Sequence, residues 1–213
     1  MSQGVSLIQR GLNGLGYRAG AGRMLVEDGI YGDKTEAAAR EWLAAGGKPK
    51  AAEGAAPFWP HQSGVTAVFG PAGGPDATAG RCVLPFSFPL ARDATHRNTS
   101  FVCHTKVAAP LTRIFKAAVS HYGEDMFRAM GLDQFGGCFN HRQMRGGSSL
   151  SMHSWGIAVD LDPTNNGLNT KAPEARFSAP EYLPFWRIVE AEGAVSLGRA
   201  RNYDWMHFQF ATL

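Results

Sequence analysis

Two alternating stretches constrain this chain more than anything else in it. Between Ile157 and Asp162, the aliphatic Ile157, Val159 and Leu161 alternate with Ala158, Asp160 and Asp162. That period predicts a β-strand with Asp160 on the face opposite the aliphatic residues. Near the C-terminus, His207 and Gln209 fall on one face, and Met206, Phe208 and Phe210 on the other. If the two strands are neighbours, Asp160 and His207 stand side by side. His153, in the lead-in before Gly156, then swings in as a third ligand. Two histidines and a carboxylate are a ligand set that holds catalytic zinc and leaves a fourth position for water. Asp204, one turn before His207, is placed to act as a base on that water. Asp162 is expected on the Asp160 face but beyond the ligand set.

Taken singly, none of these residues specifies a metal site. The combination does more: Ser151-x-His153-x-x-Gly156-x-Ala158-x-Asp160, then Asp204-x-x-His207-Phe208. It resembles the zinc peptidases that include the D-alanyl-D-alanine carboxypeptidases and L-alanyl-D-glutamate endopeptidases of bacterial cell walls. The resemblance implies one catalytic zinc on His153, Asp160 and His207, with Asp204 as base. It also implies an arginine upstream that faces the metal and steadies a substrate oxygen. In the Gly-rich stretch 136–147, Arg142 fits that setting best and Arg145 is the reserve. A planar, permanently charged guanidinium suits a developing oxyanion. Ser151 corresponds to a serine that helps hold the peptide substrate; the alternative for it is a turn-forming hydroxyl. His61, His96 and His141 lack a ligand-spaced partner, and surface or packing roles are expected of His104 and His121.

The bulk numbers describe an ordinary globular protein rather than a disordered one. With 213 residues, 44% hydrophobic and 18% charged, the chain has room for one sizeable domain or two unequal ones. A net charge of +3 is too small to argue for nucleic-acid binding, and no Lys/Arg-rich run carries interleaved aromatics. The three cysteines, Cys82, Cys103 and Cys138, include no Cys-x-x-Cys pair, so reduced thiols are expected rather than a disulfide framework. The first residues show no charged segment followed by an apolar run, and no stretch is apolar for long enough to span a bilayer.

Before the catalytic half lies a smaller module. Val5, Ile8, Leu12 and Leu15 recur at helical spacing up to Gly16, and a Gly-rich loop follows at 19–23. Asp33 with Glu36 has the form of a capping box for a second helix, which carries Trp42 and stops at Gly46-Gly47. Ile-Gln-Arg-x-Leu-Asn-x-Leu-Gly-Tyr followed by Asp-Gly-Ile-Tyr-Gly-x-x-Thr-Glu-x-Ala resembles the small three-helix peptidoglycan-binding domain over about residues 3–46. The chain departs from that pattern at Glu41-Trp42-Leu43, where Trp42 takes the aromatic packing role. Individually, Asp28, Gly29, Gly32 and Thr35 read first as residues that shape a turn and cap a helix, while the module as a whole reads as wall-binding.

The expected organisation is therefore a module at 1–46, a Gly/Ala/Pro/Lys linker at 47–57 and a zinc peptidase domain at 58–213. In the last, 70–81 reads as loop and 82–90, with Pro85 and Pro89, as extended edge structure. Val107 to Tyr122 reads as an amphipathic helix with Pro110 in its first turn, ended by Gly123. Ser178 and Glu181 read as a capping box for a helix that runs to Gly193. The fold class is α+β: a small antiparallel sheet with flanking helices, preceded by a three-helix module.

The function expected by resemblance is a phage-type endolysin, a zinc endopeptidase cutting the L-Ala–D-Glu bond of peptidoglycan stem peptides. It would be made in the host cytoplasm without a signal peptide and reach the wall after holin-type release. The expected partner is peptidoglycan, with no nucleic acid and no integral membrane segment, and the protein is expected to be a monomer. A D-alanyl-D-alanine carboxypeptidase is the enzymatic alternative. A non-catalytic wall-binding phage structural protein is the alternative of another class, and it requires a degenerate zinc site.

Overall fold

The computed structural model describes residues 2–14, 16–17, 25–46 and 59–213. The chain divides into two compact units, Met1–Ala56 and Pro57–Leu213. The expected linker at 47–57, the Gly-rich loop at 19–23 and Leu15 lie outside the described residues.

Among the described residues, the first unit has two helices, α1 (Gln3–Gly14) and α2 (Asp33–Ala44). Leu12, Tyr17, Leu25 and Ala38 form its small core, with Ala39 and Trp42 packed against them. Gln9 organises the loop ahead of α2. Its Nε2 donates to Asp28 Oδ1 at 2.9 Å, to the Ile30 carbonyl at 3.0 Å and to Thr35 Oγ1 at 3.2 Å. Its Oε1 accepts the Gly29 N–H at 3.0 Å. Asp28 also accepts the Ile30 N–H at 2.9 Å, and these bonds hold its carboxyl below the usual carboxylate range. Gly29 adopts φ +73°, and a Cβ there would lie 2.8 Å from the Ser2 carbonyl oxygen. The Asp28–Thr35 motif thus builds a turn. The expected capping box is corrected: Gly32 is the N-cap of α2, with no side-chain cap, and Asp33 is already the first helical residue. Its charge still favours that end of the helix dipole.

The second unit opens with two short helices, α3 (Val65–Phe69) and α4 (Asp76–Ala79). A long hairpin of β1 (Gly80–Leu90) and β2 (Asp93–Cys103) follows, then α5 (Thr105–Tyr122) and α6 (Glu124–Ala129). The remainder is β3 (Phe135–Gly137), β4 (Ala158–Leu161), α7 (Leu183–Ala191), β5 (Val195–Ser196), α8 (Leu197–Arg201) and β6 (His207–Gln209). The six strands lie in the order β2-β1-β3-β4-β6-β5, antiparallel except for one parallel contact between β1 and β3. The chain is thus α+β. Among the described residues no helix is long and apolar enough to cross a membrane.

Three local expectations are corrected. The segment 82–90 is an interior strand, flanked by β2 and β3. Pro85 is accommodated because the β1–β2 register breaks between Val83 and Phe88, so no ladder bond is asked of it. Pro110 sits in the second turn of α5, not the first, because the helix starts at Thr105 with His104 as its N-cap. It is buried, so the ring fills core where the helix forgoes a hydrogen bond. Ser178 and Glu181 form no capping box: Ser178 Oγ donates to the Ala175 carbonyl at 2.7 Å, and α7 begins at Leu183 after a short 3-10 turn.

The core of the second unit is aromatic, with Phe88, Phe115, Phe127, Phe177, Phe185, Phe208 and Phe210 fully buried. Trp59 belongs to it, stacked on Phe69 at 5.7 Å and edge-on to Phe210 at 5.2 Å. Cys82, Cys103 and Cys138 are free and buried, and burial pushes the first two thiols up to about 12.

Gly156 anchors the approach to β4. It has φ +64°, and a Cβ there would lie 2.1 Å from the Ala77 carbonyl oxygen. Left-handed strain and a backbone clash combine at one position. Gly156→Ala is expected to destabilise the protein by about 3 kcal/mol or more, lowering the melting temperature by roughly 10 °C. A thermal melt at matched pH checks this; a change under about 2 °C would contradict it.

Candidate metal centre

The alternating stretches meet as neighbours. In the antiparallel pair β4–β6, Asp160 is the direct register partner of His207. Val159, Leu161 and Phe208 are fully buried on the packing side. His153 arrives from a short 3-10 turn, Met152–Trp155, that ends at left-handed Gly156. The turn is capped by Ser151, whose buried Oγ accepts the His153 N–H at 3.4 Å.

Three ligand atoms converge. His153 Nε2 lies 3.1 Å and His207 Nδ1 3.0 Å from Asp160 Oδ1, and the two ring nitrogens are 3.2 Å apart. In a tetrahedral site with bonds of about 2.0–2.1 Å, ligand atoms are about 3.3 Å apart, so a zinc ion fits this triangle. The surroundings decide the protons. His153 Nδ1 is 2.6 Å from the Cys138 carbonyl, which only accepts, so Nδ1 carries the hydrogen. Gln209 donates through Nε2 to the Ala211 carbonyl at 2.9 Å, so its Oε1 accepts from His207 Nε2 at 3.1 Å. Both neutral rings therefore turn bare lone pairs toward a carboxylate. Three acceptors with no proton among them call for a cation. No other group of three or more His, Cys, Asp or Glu side chains among the described residues is so arranged.

The electrostatics agree. In the metal-free protein burial works against the Asp160 carboxylate, but protonation of the facing imidazoles supplies charge and hydrogen bonds from His153 and His207 that outweigh it and hold the group well below the usual range. Burial likewise works against charge on His207, but Asp160 outweighs it and the net shift is upward. A proton takes the place of the cation when the metal is away, so metal binding weakens as pH falls.

Asp204 is buried just ahead of β6, at φ +53°. Its carbonyl accepts the His207 N–H at 3.0 Å, and its Oδ1 is a buried oxygen with no hydrogen-bond partner. Burial raises its carboxyl above the usual range and the Asp160 charge adds to that, while His207, His153 and Arg145 oppose it. One oxygen of this buried carboxyl is thus unpaired, its backbone lies in the left-handed region, and its charge acts on His207.

A cavity of about 250 Å³ opens beside the centre, and His153, Asp160 and Arg142 line it. Arg142 is half-buried, with Nη1 donating to the Gln143 carbonyl at 3.0 Å. Arg145 is exposed, and its charge is felt at Asp204 rather than in the cavity lining. Asp162 leaves the strand at φ +42°, so it does not share the Asp160 face. It binds Asn165 Nδ2 at 2.8 and 3.0 Å and Arg176 Nη1 at 3.4 Å, organising the following loop. His104 is buried against the Phe69 carbonyl at 3.0 Å, a packing role, and His121 is exposed.

Residues 145–210 match a protein-family model described as D-alanyl-D-alanine carboxypeptidase. The match takes in all three metal residues and Asp204. The chain is a zinc metallopeptidase. No curated protein matches it, and no solved structure does. A degenerate site, which a purely wall-docking protein requires, is not what this zinc peptidase carries.

Gln209 and the Cys138 carbonyl are the functional groups that residue reasoning missed. The signal for Gln209 was its shared strand face with His207; nothing in the sequence pointed to Cys138. Gln209→Leu is expected to weaken zinc binding by about 10- to 100-fold, because nothing then holds the His207 tautomer. Competition with a chelator of known affinity measures this. Wild-type affinity in the variant would show the orientation to be set elsewhere.

Proposed function

We propose that this zinc peptidase hydrolyses the stem peptides of peptidoglycan, with L-Ala–D-Glu as the bond cut, and that it serves as a phage-type endolysin. The observation that carries the reading is the His153–Asp160–His207 triangle with the unpaired Asp204 carboxylate beside it. Zinc at this position supplies Lewis acidity, polarising the scissile carbonyl and bringing the pKa of water toward neutral. Asp204 takes the proton of the attacking water and returns it to the departing amine. Arg142, on the cavity wall, balances the developing oxyanion. Ser151, besides capping its turn, is proposed to touch the peptide.

The first unit supports the wall assignment by its resemblance over 3–46 and by exposed apolar side chains beside the Asp28–Thr35 turn, Ile30 and Tyr31. A monomer released to the wall by a holin completes the reading. The family model's description favours a second one, removal of terminal D-Ala.

The test is mass spectrometry of purified peptidoglycan digested by the zinc-loaded protein. New N-terminal D-Glu ends support the endopeptidase. Free D-Ala transfers the assignment to the carboxypeptidase. Undigested wall with a full complement of zinc overturns both.

A further inference from the structure

The cavity beside the metal residues has an apolar wall that includes Leu90, Phe101 and Phe135, and three charged groups: Asp160, Arg142 and Arg92. Arg92 stands in the two-residue turn between β1 and β2, fixed by the Leu90–Asp93 pairing that closes the hairpin. It is exposed, and among the described residues no hydrogen bond or ion pair engages its guanidinium. Most other arginines of the unit are engaged. Arg113 grips Glu192, Arg128 grips Glu124, Arg176 reaches Asp162 and Arg199 reaches Glu190. The neighbouring carboxylate, Asp93, is committed to Thr95, accepting from its N–H at 3.1 Å and its hydroxyl at 2.6 Å. An arginine whose sequence-adjacent acid is occupied elsewhere thus lines a cleft whose only carboxylate is the metal ligand.

We infer that Arg92 is the anchor for a substrate carboxylate, and that the carboxylate belongs to the residue that leaves as the amine. The inference rests on the peptidase reading above and deepens it. Both candidate bonds share one chemistry. In L-Ala–D-Glu and in D-Ala–D-Ala, the residue that departs as the amine carries a free α-carboxylate, whereas the alanine on the acyl side carries none. Once metal and histidines balance Asp160, the lining is cationic and draws an anion in. A guanidinium fork matches a carboxylate with two parallel hydrogen bonds, which fix orientation as well as charge. The small volume, below the ~300–1,000 Å³ of drug-sized sites, suits a short peptide end.

The test uses zinc-loaded wild type, Arg92→Gln and Arg92→Lys on paired stem peptides, one with that α-carboxylate free and one with it as the primary amide. Both bond types are included. Wild type is expected to favour the free acid by about 10- to 100-fold in kcat/KM on whichever bond it cuts. Arg92→Gln should collapse that preference to near unity through KM, with zinc content unchanged. Arg92→Lys should keep part of it, since charge survives and the fork does not. Equal cleavage of acid and amide by wild type, or an undiminished preference in Arg92→Gln, overturns the anchor and leaves the peptidase standing. Zinc-loaded wild type that cuts neither bond in any peptide removes the peptidase reading, and the anchor with it.

Discussion

Replacing His153 with alanine is expected to reduce bound zinc from about one ion per chain to none and to lower turnover by about 10³-fold or more. The size follows from what one side chain does. His153 Nε2 is one corner of the ligand triangle, and its Nδ1 hydrogen is committed to the Cys138 carbonyl. Alanine removes the corner and leaves a buried carbonyl unpaired, at a cost of about 1–3 kcal/mol. Two ligands remain, too few for a tightly held zinc. Metal analysis after dialysis, with circular dichroism to confirm folding, separates loss of the ion from loss of the fold. A folded variant that keeps stoichiometric zinc would dissolve the proposed ligand set.

Asp204→Asn should do the opposite to the metal and nearly as much to the chemistry. Zinc stays, because Asp204 is outside the triangle, while kcat falls by about 10²- to 10⁴-fold with the loss of the base. The wild-type rate should fall on the acid side as Asp204 protonates, at a pH above that of an ordinary carboxylate because burial raises it. The residual activity of the variant should lack that limb. The stability sign is also defined. A carboxyl raised in the folded state binds more protons there than in the unfolded chain, so in the metal-free protein its penalty is full above the raised pKa and relieved as pH falls through it. Asparagine carries no such penalty and accepts left-handed φ. The metal-free variant should therefore melt at or above the wild-type temperature at neutral pH. A variant with normal kcat, or one that loses its zinc, would remove Asp204 from the role of base.

The site was more legible than the scaffold around it, for a local reason. Strand alternation places alternate side chains on opposite faces whatever else the chain does, so Asp160 and His207 were readable as lying on the face opposite their apolar neighbours. The same local logic failed for Asp162, where the backbone turns left-handed immediately after Leu161. It failed again at Asp33, Ser178 and Pro110, because helix starts depend on where neighbouring segments pack as much as on the capping residue. The long β1–β2 hairpin carries prolines, and β2 is exposed along most of its length, so neither strand shows a clean period.

What the sequence determined by itself was the candidate ligand chemistry: His153, Asp160 and His207 as a set suited to zinc, with Asp160 and His207 on strand faces that could meet if the two strands paired. What only the tertiary structure decided was the register that pairs Asp160 with His207, the acceptors at Cys138 and Gln209 that set both ring tautomers, and the cleft that Arg92 and Arg142 share. The physical reason is separation along the chain. Ligand identity is carried by residue type and period over a few positions. Orientation and charge balance come from partners such as Cys138 and Arg92, which are brought to the site only when the sheet closes.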